Sequence, residues 1–299
     1  MKKAKIKQSA SDRALRIFFY IFIGFFAVIS LYPLLLAVGT SFSDEVSVTV
    51  NGCGVIPKKF SLEAYKMILG SLGKNIMNAY CVTIAVTVIG TLFSLLVSSA
   101  FAYVLTVSEF RPRGALNMFL YIPMIFSAGL LPWYIMCTKY YHLTDKFWAL
   151  ILPCCINAFN VFLLRNFFKS IPEELAEAAK IDGASYLRIF SVIYFPLAKV
   201  GLVTVGLFYA LSYWNDYYLA LMFINKQKLY PLQYYLYNML ANVQFIANQA
   251  NASLGYNINI PLETTKMATI CVTIGPIILL YPFAQKYITK GVIVGAVKG

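Results

Sequence analysis

From Ile17 to Ser43 the chain carries no charged side chain. A helix needs about 20 apolar residues to cross the hydrocarbon of a bilayer, so this run is long enough to span one. It is too long for the core of a cleaved signal peptide, despite the basic segment MKKAKIKQSASDRALR before it. Similar runs recur, and together they predict six membrane helices at 17–42, 76–107, 115–138, 147–164, 197–222 and 267–285. Charges fall in short clusters between them, as expected when hydrocarbon excludes charge. A chain that is 60% hydrophobic and 12% charged, with a mean hydropathy of +0.70, has more apolar surface than a soluble domain of this size can hide. The predicted fold class is therefore an all-α membrane protein. Prolines within the runs (Pro33, Pro123, Pro132, Pro153 and Pro276) predict kinks, with neighbouring helices satisfying the freed backbone groups.

The net charge of +13 has a membrane explanation. With the N-terminus inside, 16 Lys and Arg fall on the inner side and nine on the outer, which accounts for all 25. This asymmetry predicts that both termini are cytoplasmic. It does not point to nucleic acid, because no basic stripe is interleaved with exposed aromatic residues. The expected organisation is a cytoplasmic segment 1–16, a six-helix domain 17–285 and a cytoplasmic tail 286–299. Within the helical domain, a cytoplasmic loop covers 165–196 and a polar outer loop covers 225–266. The six cysteines form no CxxC pair, and the chain has a single histidine, His142. That argues against a cysteine–histidine metal site and a disulfide framework, and favours reading the cysteines as small buried hydrophobes.

The cytoplasmic loop reads RNFFKSIPEELAEAAKIDGASYLRIFSVIYFPLAK. Ser170-Ile171-Pro172-Glu173 has the form of a capping box, with proline in the first turn where its missing N–H does no harm. Glu173, Glu174 and Glu177 suit the N-terminal half of a helix dipole. The helix should reach about Ile181 and stop at Asp182-Gly183, where glycine is free to adopt a left-handed conformation. A second helix should run from about Ser185 to the bend at Pro196. Leu175, Ala178, Ala179 and Asp182 fall on one side of the first helix, and the two alanines leave a low surface open to close approach. On physical grounds alone this is either a docking face or an amphipathic helix resting on the membrane.

Glu177-Ala178-Ala179, then Gly183 after three residues, then Ile193-Tyr194-Phe195-Pro196 after nine more, resemble the EAA loop of ABC importer permeases. Phe195 stands where that family usually has leucine. Asp182-Gly183-Ala184, Pro196-Leu197, Trp214-Asn215-Asp216 and the tail from Gln285 to Gly299 resemble the carbohydrate-uptake, maltose-type branch. The ending GVIVGAVKG is similar to that of permeases for oligosaccharides or polysaccharide fragments. The resemblance implies a type I importer in a bacterial cytoplasmic membrane. Its implied partners are a second homologous permease subunit, a dimer of ATPase subunits that binds ATP and magnesium, and an extracytoplasmic sugar-binding protein. It also implies that Glu174, Glu177, Ala178, Ala179, Asp182, Gly183, Ile193 and Pro196 couple this chain to the ATPase. The chain has no G-x-x-x-x-G-K-[ST] phosphate loop, so no cofactor and no enzymatic activity are expected of it.

Sugars are gripped by aromatic faces and hydrogen-bonding side chains. Tyr209, Tyr213, Trp214, Asn215 and Asp216 offer that chemistry in the fifth run, although Trp and Tyr also belong at membrane interfaces. Competing readings are a permease for another polar solute, an ion-coupled secondary transporter and a membrane enzyme. The secondary transporter would need mid-membrane titratable groups and usually internal repeats, of which Asp216 is the one candidate group and no repeat is evident. The enzyme would need a nucleophile and base, and His142 has no partner in the sequence. The topology predicts that a cysteine introduced at Asn248 is labelled by an impermeant reagent in sealed cells and one at Ser185 is not. Labelling at Ser185 would overturn the orientation.

Overall fold

The computed structural model describes residues 10–70, 73–254, 263–275 and 278, and among these the regular structure is helical. The elements are α1 (Ala10–Ser41), α2 (Glu45–Asn51), α3 (Glu63–Leu69), α4 (Gly73–Val104), α5 (Arg113–Ile125), α6 (Leu130–Ile135) and α7 (Ala158–Lys169). They continue with α8 (Glu174–Ile181), α9 (Tyr186–Ile189), α10 (Phe195–Leu197), α11 (Lys199–Asn215), α12 (Tyr218–Phe223) and α13 (Leu232–Leu254). Residues 263–275 are also helical.

Among the described residues, two helices are long and apolar enough to cross a membrane alone, Leu15–Ser41 and Asn75–Val104. Three bent pairs bring the candidates to five. Arg113–Ile125 and Leu130–Tyr140 meet at 119°, Phe147–Cys154 and Ala158–Lys169 at 60°, and Tyr186–Leu197 and Lys199–Asn215 at 83°. The first break follows Pro123 and ends at Gly129, in the left-handed region at φ 83°. The second follows Pro153, where two short 3₁₀ turns replace the start of an α-helix. The third lies at Ala198, after Pro196. Of the expected sixth span, 267–285, the structure describes 267–275 and Ile278, and the tail 286–299 lies outside the described residues.

Two expectations on the loops are corrected. The segment 225–266, expected as a polar loop, is largely helical where it is described, because Leu232–Leu254 offers an uninterrupted run without Pro or Gly. Ser170 does not cap α8. Its hydroxyl donates to Phe167 O at 2.7 Å at the end of α7, and α8 starts at Glu174 without a side-chain cap. Among the cysteines, Cys137 is buried, whereas Cys53, Cys81 and Cys154 are exposed on the isolated chain.

The chain divides into two compact units. The first comprises residues 1–72 and 240–274. In it, Phe42 stacks on Phe60 and on Tyr65, and the Tyr65 hydroxyl meets Ser41 Oγ at 3.0 Å. The Glu45 carboxylate accepts from Glu263 N and Thr264 N, both at 2.9 Å, and so caps the helix at 263–275. The second unit comprises residues 73–239 and 275–299 and contains the main core. There α11 packs along α4 and against α7.

Close approach of α7 to α11 depends on Gly201. A Cβ at this position would sit 2.5 Å from the Phe167 ring. Forcing extra volume into a packed interface costs about 1–3 kcal/mol. Gly201→Ala should therefore lower the thermal stability of the detergent-solubilised protein, whereas Gly114→Ala, with nothing within 4 Å of the new Cβ, should not. Equal melting temperatures for the two variants would contradict this packing.

Candidate functional site

The loop 165–196 is built on an aromatic knot. Tyr103, near the end of α4, lies 5.2 Å from Phe190 and 5.0 Å from Tyr194, centroid to centroid. Phe168, near the end of α7, meets Tyr194 at 5.8 Å and Phe190 at 6.4 Å. Burial of these rings fixes the base of the loop to both helices. The segment Phe190–Tyr194 is a π-turn, and α9 before it is capped by Ser185 Oγ, which accepts from Arg188 N at 3.4 Å.

On this base α8 ends in a Schellman turn. Ala184 N donates to Ala179 O at 2.9 Å and Gly183 N to Lys180 O at 3.0 Å, which satisfies two carbonyls left free at the helix end. Gly183 sits at φ 77°, as its position after Asp182 predicts. No atom lies within 4 Å of where its Cβ would be, so the requirement for glycine is a backbone one. Ala176 is buried against the core and Ala179 packs at its edge. The opposite face is open: Glu174, Glu177, Ala178 and Asp182 are exposed, and Ile181 and Leu187 expose 87% and 76% of their surfaces. Ile193 is partly buried in the knot and Pro196 is exposed at the bend. The loop thus presents a small, mixed apolar and acidic face held by a rigid turn.

Three residues not anticipated from the sequence hold this face in place. Glu109, in the turn between α4 and α5, accepts from Lys180 Nζ at 2.7 Å and from the Tyr186 hydroxyl. Lys180 lies before Gly183 and Tyr186 after it, so one carboxylate joins both arms of the loop. The hydrogen bonds from Lys180 and Tyr186 hold the Glu109 carboxyl below its ordinary range, and the same contact raises the Lys180 and Tyr186 values. A carboxylate with a depressed value contributes its interaction above the ordinary range, about pH 4.3, and loses it as pH falls through the depressed value. The contact is therefore fully formed near neutral pH. Its partners are 71 and 77 residues away, beyond any local spacing signal.

Deeper in the same unit, a cavity of about 670 Å³ opens at the break before α7. Asn157, Phe159 and Asn160 line one side, and Phe208, Tyr209 and Ser212 of α11 the other. Asn157 Oδ1 caps α7 by accepting from Asn160 N at 3.2 Å. Asn160, in the first turn of α7, is 6% exposed. Neutral amides and a hydroxyl beside aromatic rings suit a ligand rich in hydroxyl groups.

Of the five residues the sequence offered for sugar contact, Tyr209 alone borders this cavity. The Tyr209 hydroxyl accepts from Asn157 N at 3.0 Å and pairs with Ser98 Oγ at 2.7 Å. Tyr213 donates to Ile151 O at 3.2 Å and pairs with Ser94 Oγ at 2.7 Å. Both tyrosines are therefore buried cross-ties whose hydroxyls are occupied within the chain. Trp214 is buried, Asn215 donates to Leu211 O at 2.8 Å, and Asp216 accepts from Leu219 N at 3.2 Å at the start of α12. The residues that line the cavity instead, Asn157 and Asn160, sit in a span that reads as ordinary apolar helix. The only cue to them is the Pro153 break four residues earlier.

Residues 112–294 match the family described as "Binding-protein-dependent transport system inner membrane component". The chain is 38% identical to the polygalacturonan/rhamnogalacturonan transport system permease protein YtcP of Bacillus subtilis (strain 168), over 96% of this chain and 99% of that protein. It is 36% identical to Protein LplC of the same organism, over 93% of each. Among solved structures it is similar to a chain of a bacterial ABC transporter involved in the import of the acidic polysaccharide alginate, with a TM-score of 0.80 and 33% identity over 95% of this chain and 99% of that one. The fold is thus that of an ABC importer permease, and the chain belongs to the family of inner-membrane components of binding-protein-dependent transport systems.

Proposed function

We propose that this chain is one of two homologous membrane subunits of an ATP-driven importer for oligosaccharides, and that α8 seats it on the ATPase. The observation that carries the reading is the exposed face of α8 beyond a rigid aromatic base, closed by a left-handed glycine. Such a face can transmit force because the turn behind it is closed by two backbone hydrogen bonds. The names of the relatives support the substrate class, since polygalacturonan, rhamnogalacturonan and alginate are all polysaccharides. ATP and magnesium would be held by the ATPase subunits, and the sugar would arrive from an extracytoplasmic binding protein. The loop would then face the cytoplasm, with both termini on that side.

The sugar path runs past the cavity at the break before α7. Asn157, Asn160 and Ser212 would meet sugar hydroxyls, and Phe159 and Phe208 the apolar faces of the rings. Tyr209 and Tyr213 shape the wall from behind, and Asp216 holds α12 in place.

The experiment is uptake of labelled oligosaccharides into vesicles containing the complete importer, with binding-protein-stimulated ATP hydrolysis measured in parallel. Uptake should require ATP. Uptake driven by a proton gradient without ATP would overturn the reading. Loss of one hydrogen bond to the ligand is worth about 1 kcal/mol, so Asn160→Leu should lower uptake by roughly five- to tenfold while the complex still assembles. Unchanged uptake would remove the cavity from the path. At Gly183, a side chain must occupy a left-handed conformation at a cost of about 1–2 kcal/mol, which asparagine tolerates better than other residues. Coupled uptake should therefore decline in the order Gly, Asn, Ala, Val at this position. Wild-type uptake and stimulated hydrolysis in Gly183→Val would reject α8 as the coupling element.

A further inference from the structure

Two consecutive residues, Ser108 and Glu109, hold the two ends of α8. Ser108 Oγ donates to Glu173 Oε1 at 3.1 Å at its N-terminal end, and Glu109 takes Lys180 at 2.7 Å near its C-terminal end. Glu173 and Lys180 are seven residues apart, about 10 Å along a helix. Glu109 also takes the Tyr186 hydroxyl beyond Gly183, and Lys180 Nζ lies 5.4 Å from the Tyr186 ring centroid. A single turn therefore fixes the length, tilt and outgoing arm of the loop helix.

That turn is the direct continuation of α4. Leu105 N donates to Phe101 O at 3.1 Å and Val107 N to Tyr103 O at 3.2 Å, so helix-like bonding continues past Val104 to Val107, next to Ser108. Further along α4, Ser98 and Ser94 hold the tyrosine hydroxyls that bond Asn157 N and Ile151 O at the cavity break. The links from α8 to the cavity wall are thus continuous: turn, helix, serine, tyrosine, broken span.

We propose that the turn at Ser108–Glu109 is a positioning clamp, through which displacement of α8 is passed along α4 to the wall of the cavity. The clamp rests on the reading of α8 as the ATPase-facing element. An exposed ion pair contributes little to stability, so the clamp acts through geometry and its loss leaves the fold intact.

The test uses the complete importer in vesicles and reads sugar transported per ATP hydrolysed. Glu109→Lys sets two lysines side by side and should lower this ratio about tenfold, within the range of a coupling free energy between sites. Lys180→Glu should do the same. The double exchange restores opposite charges and should return the ratio to within about threefold of wild type. Single variants with the wild-type ratio, or a double variant no better than either single, would overturn the clamp. A wild-type complex without ATP-driven uptake would overturn the functional reading instead. A second measurement does not depend on how the charge variants assemble. In a Ser108→Cys, Glu173→Cys pair in a background without the six native cysteines, a short bis-thiol crosslinker should bridge the two positions equally with and without ATP and leave uptake within about twofold of the unlinked protein, because the clamp and α8 move as one body. A crosslink that fails to form, forms in one nucleotide state alone, or abolishes uptake would show that α8 slides against the turn, and the clamp would fall.

Discussion

Backbone groups inside a bilayer have no water to bond, so a broken span must find partners within the protein. The structure meets this demand at the break before α7 with two tyrosines of α11. Asn157 donates its N–H to the Tyr209 hydroxyl and Ile151 O accepts from Tyr213. Each hydroxyl has capacity for one more bond and uses it on a serine of α4. Three segments are thereby pinned at two points about one helical turn apart. The same break borders the cavity lined by Asn157, Asn160, Phe208 and Ser212. Truncating either tyrosine would leave a buried polar group unpaired as well as opening space, which makes these positions more sensitive than their burial alone suggests.

The sequence carries the architecture in part. Hydropathy locates the apolar helices, since exclusion of charge from hydrocarbon acts on every residue of a span. It does not locate the breaks: Pro123, Pro153 and Pro196 mark them, but bends of 119°, 60° and 83° depend on what packs across them. Gly183 is legible because a helix followed by Asp-Gly needs a left-handed residue whatever the tertiary context. Ser170 misleads, since its capping pattern is outcompeted by the end of α7, where its hydroxyl bonds Phe167 O. Tyr209 and Tyr213 have the right chemistry for sugar, but long-range bonds to Ser98 and Ser94 commit them elsewhere. Glu109 carries no local signal at all, because its role depends on a loop more than 70 residues away.

The proposed function divides transport and ATP hydrolysis between polypeptides, and the chain's features suit the transport side of that division. Its α8 presents an exposed face of carboxylates and small residues above an aromatic base, and its interior offers neutral hydrogen-bonding groups beside aromatic rings. The proposed mechanism joins the two through α4, a helix of 32 residues that reaches from the loop past the cavity. A long helix packed along most of its length moves more readily as a body than by bending, so a small shift at one end appears at the other. Such contiguity is a physical route for coupling, and its use depends on both ends responding to their ligands.

The central claim is that α8 is the surface engaged by the ATPase. The most direct measurement places a photo-crosslinking side chain at Ile181, the most exposed apolar residue of the loop at 87%, and a control at Tyr141, which is also exposed. In the purified complete importer, the account predicts a covalent adduct between the Ile181 position and the ATPase subunit, and none from the Tyr141 position. Absence of an ATPase adduct at Ile181, or equal adducts from both sites, would contradict it.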